Sequence, residues 1–165
     1  MQFYKWVEDL SFSTWVRESP SPWAFASVLL LHTIGMGICV GVNAGIDLRI
    51  LGFAPGIRLS SLQKFIPILW FGFIINAITG TILLMQDMSS KMRNPDFYAK
   101  MIFIALALVI LRIVQKRVFR DPEFDESSSS TNLKVLAVLS LFFWIAAITA
   151  GRLLAYVGPQ SGLPG

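Results

Sequence analysis

Four long apolar segments divide the chain, and they constrain its fold more than any other feature. They cover residues 23–46, 62–86, 95–118 and 133–157. A helix needs about 20 apolar residues to cross the hydrocarbon core of a bilayer, where its peptide groups must be hydrogen-bonded within the segment. Each segment is long enough for one crossing. The sequence therefore predicts an all-α integral membrane protein with a bundle of four transmembrane helices.

The composition argues against a soluble domain. Of the 165 residues, 55% are hydrophobic and 15% are charged, whereas soluble domains carry about 25% charged residues. A soluble protein of this size has too much surface relative to its volume to bury so much apolar area. The length fits one membrane domain, residues 1–165.

Two polar segments lie outside the four predicted crossings. In residues 1–18, apolar side chains recur at helical spacing, namely Phe3, Trp6, Val7 and Leu10. This spacing predicts an amphipathic helix that lies in the membrane interface, and the alternative is a frayed terminus. Residues 120–131 are acidic and rich in serine, which predicts a flexible loop.

The basic residues predict an orientation rather than a nucleic-acid partner. The formal net charge is +4, but the basic residues lie between apolar segments, where topology bias and anionic lipid explain them better. Seven flank the membrane on the side of the first and third connections, and five on the other side. Because the excess marks the cytoplasmic side, both termini are predicted to lie outside the cytoplasm.

Small residues at one-turn spacing predict close helix packing, because in lipid they let two backbones approach. In the first, second and fourth segments these positions are Gly37, Gly41, Gly45, Gly72, Asn76, Gly80, Ala147 and Gly151. Asn76 is expected to bridge two helices by hydrogen bonds rather than to bind a ligand. The partner helix belongs either to this chain or to a subunit interface. The expected partners are membrane lipids, other membrane subunits or a second copy, and no nucleic acid.

His32 is the only histidine and lies inside the first predicted helix. Polar groups at that depth are costly and tend to be functional. Met36 and Cys39 follow on the same helix face, opposite the glycines. Imidazole, thioether and thiolate make a soft ligand set that suits copper or haem iron, and haem b held by two histidines would need a second chain. The alternative is a histidine hydrogen-bonded within the bundle, with no cofactor.

Three charged residues near helix ends each allow two interpretations. Arg152 either snorkels to the interface or meets an acidic group such as a haem propionate. Asp47 and Arg49 end the first helix and are expected to be structural, paired with each other or with a loop. The sequence has no nucleophile–base pair, carboxylate pair or phosphate loop, so an enzyme is not expected.

Several motifs follow one another in a fixed order. After the histidine and the glycines come DLRILG at residues 47–52, then Asn94-Pro95 with Phe97 and Lys100, and Gly151-Arg152 near the end. In this order the chain resembles, over nearly its whole length, an uncharacterised family of small bacterial inner-membrane proteins, a domain of unknown function. The resemblance implies four helices and a bacterial inner membrane, with both termini then periplasmic, and it implies no reaction.

The chain departs from the family pattern at two positions. Leu29 stands where relatives usually have an acidic residue, and Gln115 stands where they often have a histidine. If those residues bind a cofactor in relatives, this chain could have lost it.

Three functions remain open. The leading hypothesis is a non-catalytic subunit or scaffold of a larger membrane complex, motivated by the packing glycines, the interfacial helix and the few reactive groups. The second is a redox protein with haem b or copper at His32. The third is an oligomeric transporter or channel, which has the least support because the helices offer few buried charges.

Overall fold

The computed structural model describes residues 2–19, 21–119 and 131–156. A turn of 3₁₀ helix, Gln63–Phe65, joins the short helix Leu59–Leu62 to the long helix Ile66–Met85. Within the described residues there is no strand, so the predicted all-α fold is confirmed. In chain order the helices are α1 (Gln2–Glu8), α2 (Ser11–Glu18), α3 (Pro22–Ile50), α4 (Leu59–Leu62), α5 (Ile66–Met85), α6 (Met88–Lys91), α7 (Pro95–Phe119) and α8 (Thr131–Tyr156).

Four stretches of helix are long and apolar enough to cross a membrane, as predicted. They are Trp23–Ile50, Leu59–Met85, Pro95–Phe119 and Thr131–Leu154. Large apolar side chains lie exposed on all four helices, among them Leu30, Ile78, Val109 and Ile145. A helix that is apolar on its outer face as well as its inner face is typical of a membrane span. The chain is a multi-pass membrane protein with a bundle of four helices.

The first transmembrane helix is one turn longer than predicted and ends at a glycine. It continues through Asp47 to Ile50, and Gly52 follows with a φ of +99°. In this conformation, which favours glycine, the N–H of Phe53 donates to the carbonyl of Leu48 at 3.0 Å. The DLRILG motif is therefore the last turn of α3 together with its C-terminal cap.

The boundaries of α7 and α8 follow partly from local signals. The side-chain oxygen of Asn94 accepts a hydrogen bond from the N–H of Asp96 at 2.9 Å, so Asn94 is the N-cap and Pro95 is the first helical residue. Helix α8 begins at Thr131, two residues earlier than predicted, so the predicted flexible loop is wrong at that residue. The rest of that loop, residues 120–130, and residue 157 lie outside the described part of the chain.

The N-terminal segment forms two short helices rather than the single predicted one. The chain turns at Asp9 and Leu10 between them. Two stacked aromatic pairs lie exposed on this element, Phe3 with Trp6 and Phe12 with Trp15. Exposed aromatic side chains beside apolar spans are typical of the membrane interface, and the interfacial position expected for this segment stays a prediction.

Two hydrogen bonds attach these helices to the connection between α5 and α7. The carboxylate of Glu8 accepts from the N–H of Ser89 at 2.6 Å, and the hydroxyl of Ser13 donates to the carbonyl of Met85 at 3.0 Å. Ser13 is buried in this contact. The N-terminal element therefore lies at the end of the bundle where α5 ends and α7 begins.

The four long helices pack as two antiparallel hairpins. Helix α3 packs along α5, α7 packs along α8, and a contact between α3 and α8 joins the two pairs. Helices α5 and α7 barely touch each other. A cleft therefore runs between α5 and α7, with α3 and α8 beneath it.

Candidate functional site

A polar pair joins the first two transmembrane helices at the height of His32. The Nδ1 atom of His32 lies 3.1 Å from the carbonyl oxygen of Asn76 and 3.1 Å from the hydroxyl of Thr79. The side-chain amide of Asn76 donates to the carbonyl of His32 at 2.8 Å. Asn76 therefore bridges two helices, as its sequence position predicted, and His32 is hydrogen-bonded within the bundle.

The carbonyl of Asn76 favours one tautomer of the imidazole ring. A carbonyl oxygen only accepts hydrogen bonds, so a neutral ring that bonds to it carries the proton on Nδ1 and the lone pair on Nε2. The side-chain amide nitrogen of Asn76 also lies 3.4 Å from Nδ1. Gly80 makes room for this ring, because a Cβ added there would lie 3.1 Å from the Cε1 atom of His32.

His32, Met36 and Cys39 line one cavity of about 230 Å³ in the middle of the bundle. The three predicted ligands therefore line the same cavity, and Cys39 is buried. Trp144 of α8 also lines this cavity, is only 6% exposed, and its indole N–H has no hydrogen-bond partner in the described part of the protein. We call this space the inner cavity.

A second cavity of about 240 Å³ adjoins the inner cavity toward the N-terminal element. The two share five lining residues, which are His32, Gly80, Leu84, Phe97 and Lys100. The second cavity adds Lys91, and no acidic side chain lines either space. We call it the outer cavity.

The lysines of the outer cavity are held in defined places. The Lys91 ammonium donates to the carbonyl of Leu83. The stem of Lys100 passes Gly151, where an added Cβ would lie 3.5 Å from its Cδ and Cε atoms. Burial lowers the pKa of Lys91, the carboxylate of Asp87 raises it, and the charge of Lys100 lowers it. Two cations are therefore gathered at one end of the cleft.

The close crossing of α3 and α5 uses a glycine that the sequence pattern did not single out. A Cβ added to Gly35 would lie 2.8 Å from the carbonyl oxygen of Gly72, and one added to Gly72 would lie 2.9 Å from the carbonyl oxygen of Gly35. The predicted packing residue Gly72 is thus in a tight contact. Gly37, Gly41 and Gly45 instead have no atom within 4 Å of an added Cβ, so they do not pack against another element of the described residues.

A buried polar network lies deeper in α3. The amide of Asn43 donates to the carboxylate of Asp47 at 2.5 Å and to the hydroxyl of Ser140 at 2.9 Å. All three side chains are at most 2% exposed. Arg49 donates to the loop carbonyls of Ile57 and Pro55. Asn43 therefore joins α3 to α8 and bonds Asp47 within α3, and Arg49 holds the loop after α3.

The remaining predicted residues lie apart from the cavities or act in packing. Ala147 is buried in α8, and Gly151 lies beside Lys100. Arg152 is exposed and is not among the lining residues of either cavity, so its contact with an acidic group of a cofactor stays a prediction. Gln115 lies near Arg112, whose guanidinium stacks over the ring of Trp70 at 4.1 Å.

The residue set offers limited means to hold a metal. Within the described residues there is no group of three His, Cys, Asp or Glu side chains that could hold an ion. A metal at His32 would need the thioether of Met36, the thiolate of Cys39 or an exogenous ligand to complete its coordination. The geometry thus supplies one oriented imidazole, not a closed metal cage.

Comparison of the chain with family models, with curated proteins and with solved structures found no match.

Three residues of the cleft were missed as site residues, and two of them had a signal in the sequence. Lys100 is an ionisable residue inside a predicted crossing, and such residues are functional candidates by default. Lys91 lies in the short connection between the second and third predicted crossings, at the end of the membrane where Lys100 also lies. Trp144 had no such signal, because only the packing of α8 shows that its N–H is left without a partner.

Proposed function

We propose that this protein is a non-catalytic subunit of a larger assembly in a bacterial inner membrane, with both termini in the periplasm. The observation that carries the proposal is the exposed glycine face of α3, made of Gly37, Gly41 and Gly45. None of these glycines packs against another part of the described chain, although they are spaced one turn apart in the middle of a membrane span.

A bare glycine face is expected to be covered by another helix. In lipid, helix association depends on van der Waals packing, and small residues allow the backbones to approach. Here α3 already packs against α5 and α8 through other residues. The glycine face is therefore available to a transmembrane helix of another subunit.

A substitution on this face tests the proposal. Gly41→Ile is expected to lower the amount of co-purifying subunit about tenfold, equivalent to ~1.4 kcal/mol of association free energy. The isoleucine would hold the partner backbone away, and its Cβ would have no atom of another described element within 4 Å. The measurement is purification of the tagged chain from its native membranes in mild detergent, followed by native electrophoresis and mass spectrometry.

Ala105→Ile provides the matched control, because Ala105 is an exposed small residue of α7. It should leave the assembly intact. The proposal fails if the wild-type chain migrates alone, or if its complex contains only copies of itself.

An alternative function, redox chemistry with haem b or copper, is favoured by the orientation of His32. Metal-binding histidines usually donate their second ring N–H to a carbonyl or carboxylate, which orients the ring and raises its basicity. His32 has this arrangement through Asn76 and Thr79, and Nε2 would be the ligand atom. Either group would supply one-electron chemistry when bound.

This alternative predicts a graded series of variants. Purified wild-type chain should show either a Soret band or stoichiometric copper, and His32→Ala should lose it. Thr79→Val, which removes one hydrogen bond to the ring, should weaken the binding about tenfold. A wild-type preparation from native membranes with neither signal would eliminate the alternative.

A further inference from the structure

The cleft between α5 and α7 opens sideways toward the lipid. The two helices barely touch, and the rim of the cleft is exposed at Ala77 and Thr81 of α5 and at Met101 of α7. The outer and inner cavities lie one behind the other along it and share five lining residues. Together they reach the range of roughly 300–1,000 Å³ that is typical of ligand pockets. A molecule from the bilayer could enter without any rearrangement of the helices.

One end of this space is cationic and the remainder is mostly apolar. Lys91 and Lys100 line the outer cavity, and no acidic residue lines either cavity. Lys100 is half-buried, five residues or about 7.5 Å along the axis from the start of α7. The inner cavity is lined mainly by apolar side chains such as Val40, Phe73 and Ile104. This distribution matches an amphiphile with an anionic head and an apolar chain.

The inner cavity also has a hydrogen-bond donor that the protein does not satisfy. Trp144 is more than nine-tenths buried, and its indole N–H has no partner in the described residues. A buried donor without an acceptor costs about 1–3 kcal/mol. A ligand with a carbonyl oxygen would remove that cost, and a simple hydrocarbon would not.

We propose that the cleft binds one anionic phospholipid, with the phosphate between Lys91 and Lys100 and an acyl chain in the inner cavity. The phosphate forms charge-assisted hydrogen bonds with the two ammonium groups. An ester carbonyl supplies the acceptor for Trp144, and the surrounding bilayer supplies the lipid through the lateral opening. The site is independent of the proposed glycine interface, which lies on the other face of α3.

The test is lipid binding to the full, delipidated chain in detergent, followed by native mass spectrometry. The probes are phosphatidylglycerol and phosphatidylcholine with identical acyl chains. The wild-type chain should bind phosphatidylglycerol about tenfold more tightly. The double variant Lys91→Gln/Lys100→Gln should bind both lipids equally. Lys116→Gln, which removes an exposed charge from the same helix α7, should keep the wild-type preference.

A second variant tests the space in the cleft separately from the charges of the two lysines. Ala77→Phe fills the rim of the inner cavity while keeping both lysines, and it should lower phosphatidylglycerol binding about tenfold. Ala105→Phe, an exposed position outside the cavities, should have no effect, and circular dichroism should show that all variants are folded.

Three results would overturn the proposal. The first is equal binding of the two lipids by the wild-type chain. The second is a preference that survives in Lys91→Gln/Lys100→Gln. The third is displacement of phosphatidylglycerol by equimolar palmitate, which would make a free fatty acid the ligand.

Discussion

Gly35→Ala is expected to destabilise the chain by about 1–3 kcal/mol, although alanine is the better helix former. The new methyl group would lie 2.8 Å from the carbonyl oxygen of Gly72 and 2.9 Å from the backbone nitrogen of Asn76. Both neighbours are backbone atoms of α5, so the contact can be relieved only by separating the two helices. That separation would also lengthen the hydrogen bonds between His32 and Asn76.

Gly37→Ala is the matched control for this prediction. It adds the same methyl group two residues further along α3, where no atom lies within 4 Å. Alanine in a helix interior is more favourable than glycine by about 0.5–1 kcal/mol, so the sign of the effect should reverse. Denaturant unfolding of the detergent-purified chain, followed by circular dichroism, measures both. Equal effects at the two positions would contradict the assigned crossing of α3 and α5.

Asn43→Leu is expected to cost about 2 kcal/mol, because it removes two hydrogen bonds from a buried polar network. The amide of Asn43 donates to both Asp47 and Ser140, and the three side chains are buried within the bundle. Hydrogen bonds between membrane helices average only about 0.6 kcal/mol. Loss of two bonds, one of them to a buried carboxylate, should exceed that average.

A double-mutant cycle with Ser140→Ala tests whether these residues act as one network. The two effects should be non-additive by about 0.5 kcal/mol or more, since the side chains are in contact. Thr149→Val is the control, because the Thr149 hydroxyl is exposed and bonds only within its own helix. An additive cycle, or an Asn43→Leu variant as stable as this control, would refute the network.

The transmembrane architecture could be predicted from the sequence because hydropathy and length alone determine a crossing in lipid. Which face of α3 packs against the rest of the chain could not be predicted from the sequence. Gly35 and Gly37 are two residues apart, and the pattern favoured the regular series that begins at Gly37. Only the path of α5 shows that the chain itself uses Gly35 and leaves that series exposed. A small-residue repeat predicts close packing but does not identify the partner.

The candidate site could likewise be predicted only in part from the sequence. His32 and Asn76 were recognised because isolated polar residues stand out within an apolar run, and the structure joins them. Asn43 lies in an equally apolar run but was passed over, since its partner Ser140 is 97 positions away along the chain. The break at Asp9 within the N-terminal element was also missed, because its spacing is helical on both sides of the turn.

The attachment of the N-terminal helices has a consequence for how the protein is made. Glu8 and Ser13 bond to Ser89 and Met85, which lie 81 and 72 positions later in the chain. Met85 and Ser89, the partners of Ser13 and Glu8, therefore leave the ribosome only after α3 and α5 have been synthesised. Until then residues 2–18 lack both of these hydrogen bonds. Arrested nascent chains that end before Met85 should be cut by protease within this segment, and chains that extend beyond α7 should resist.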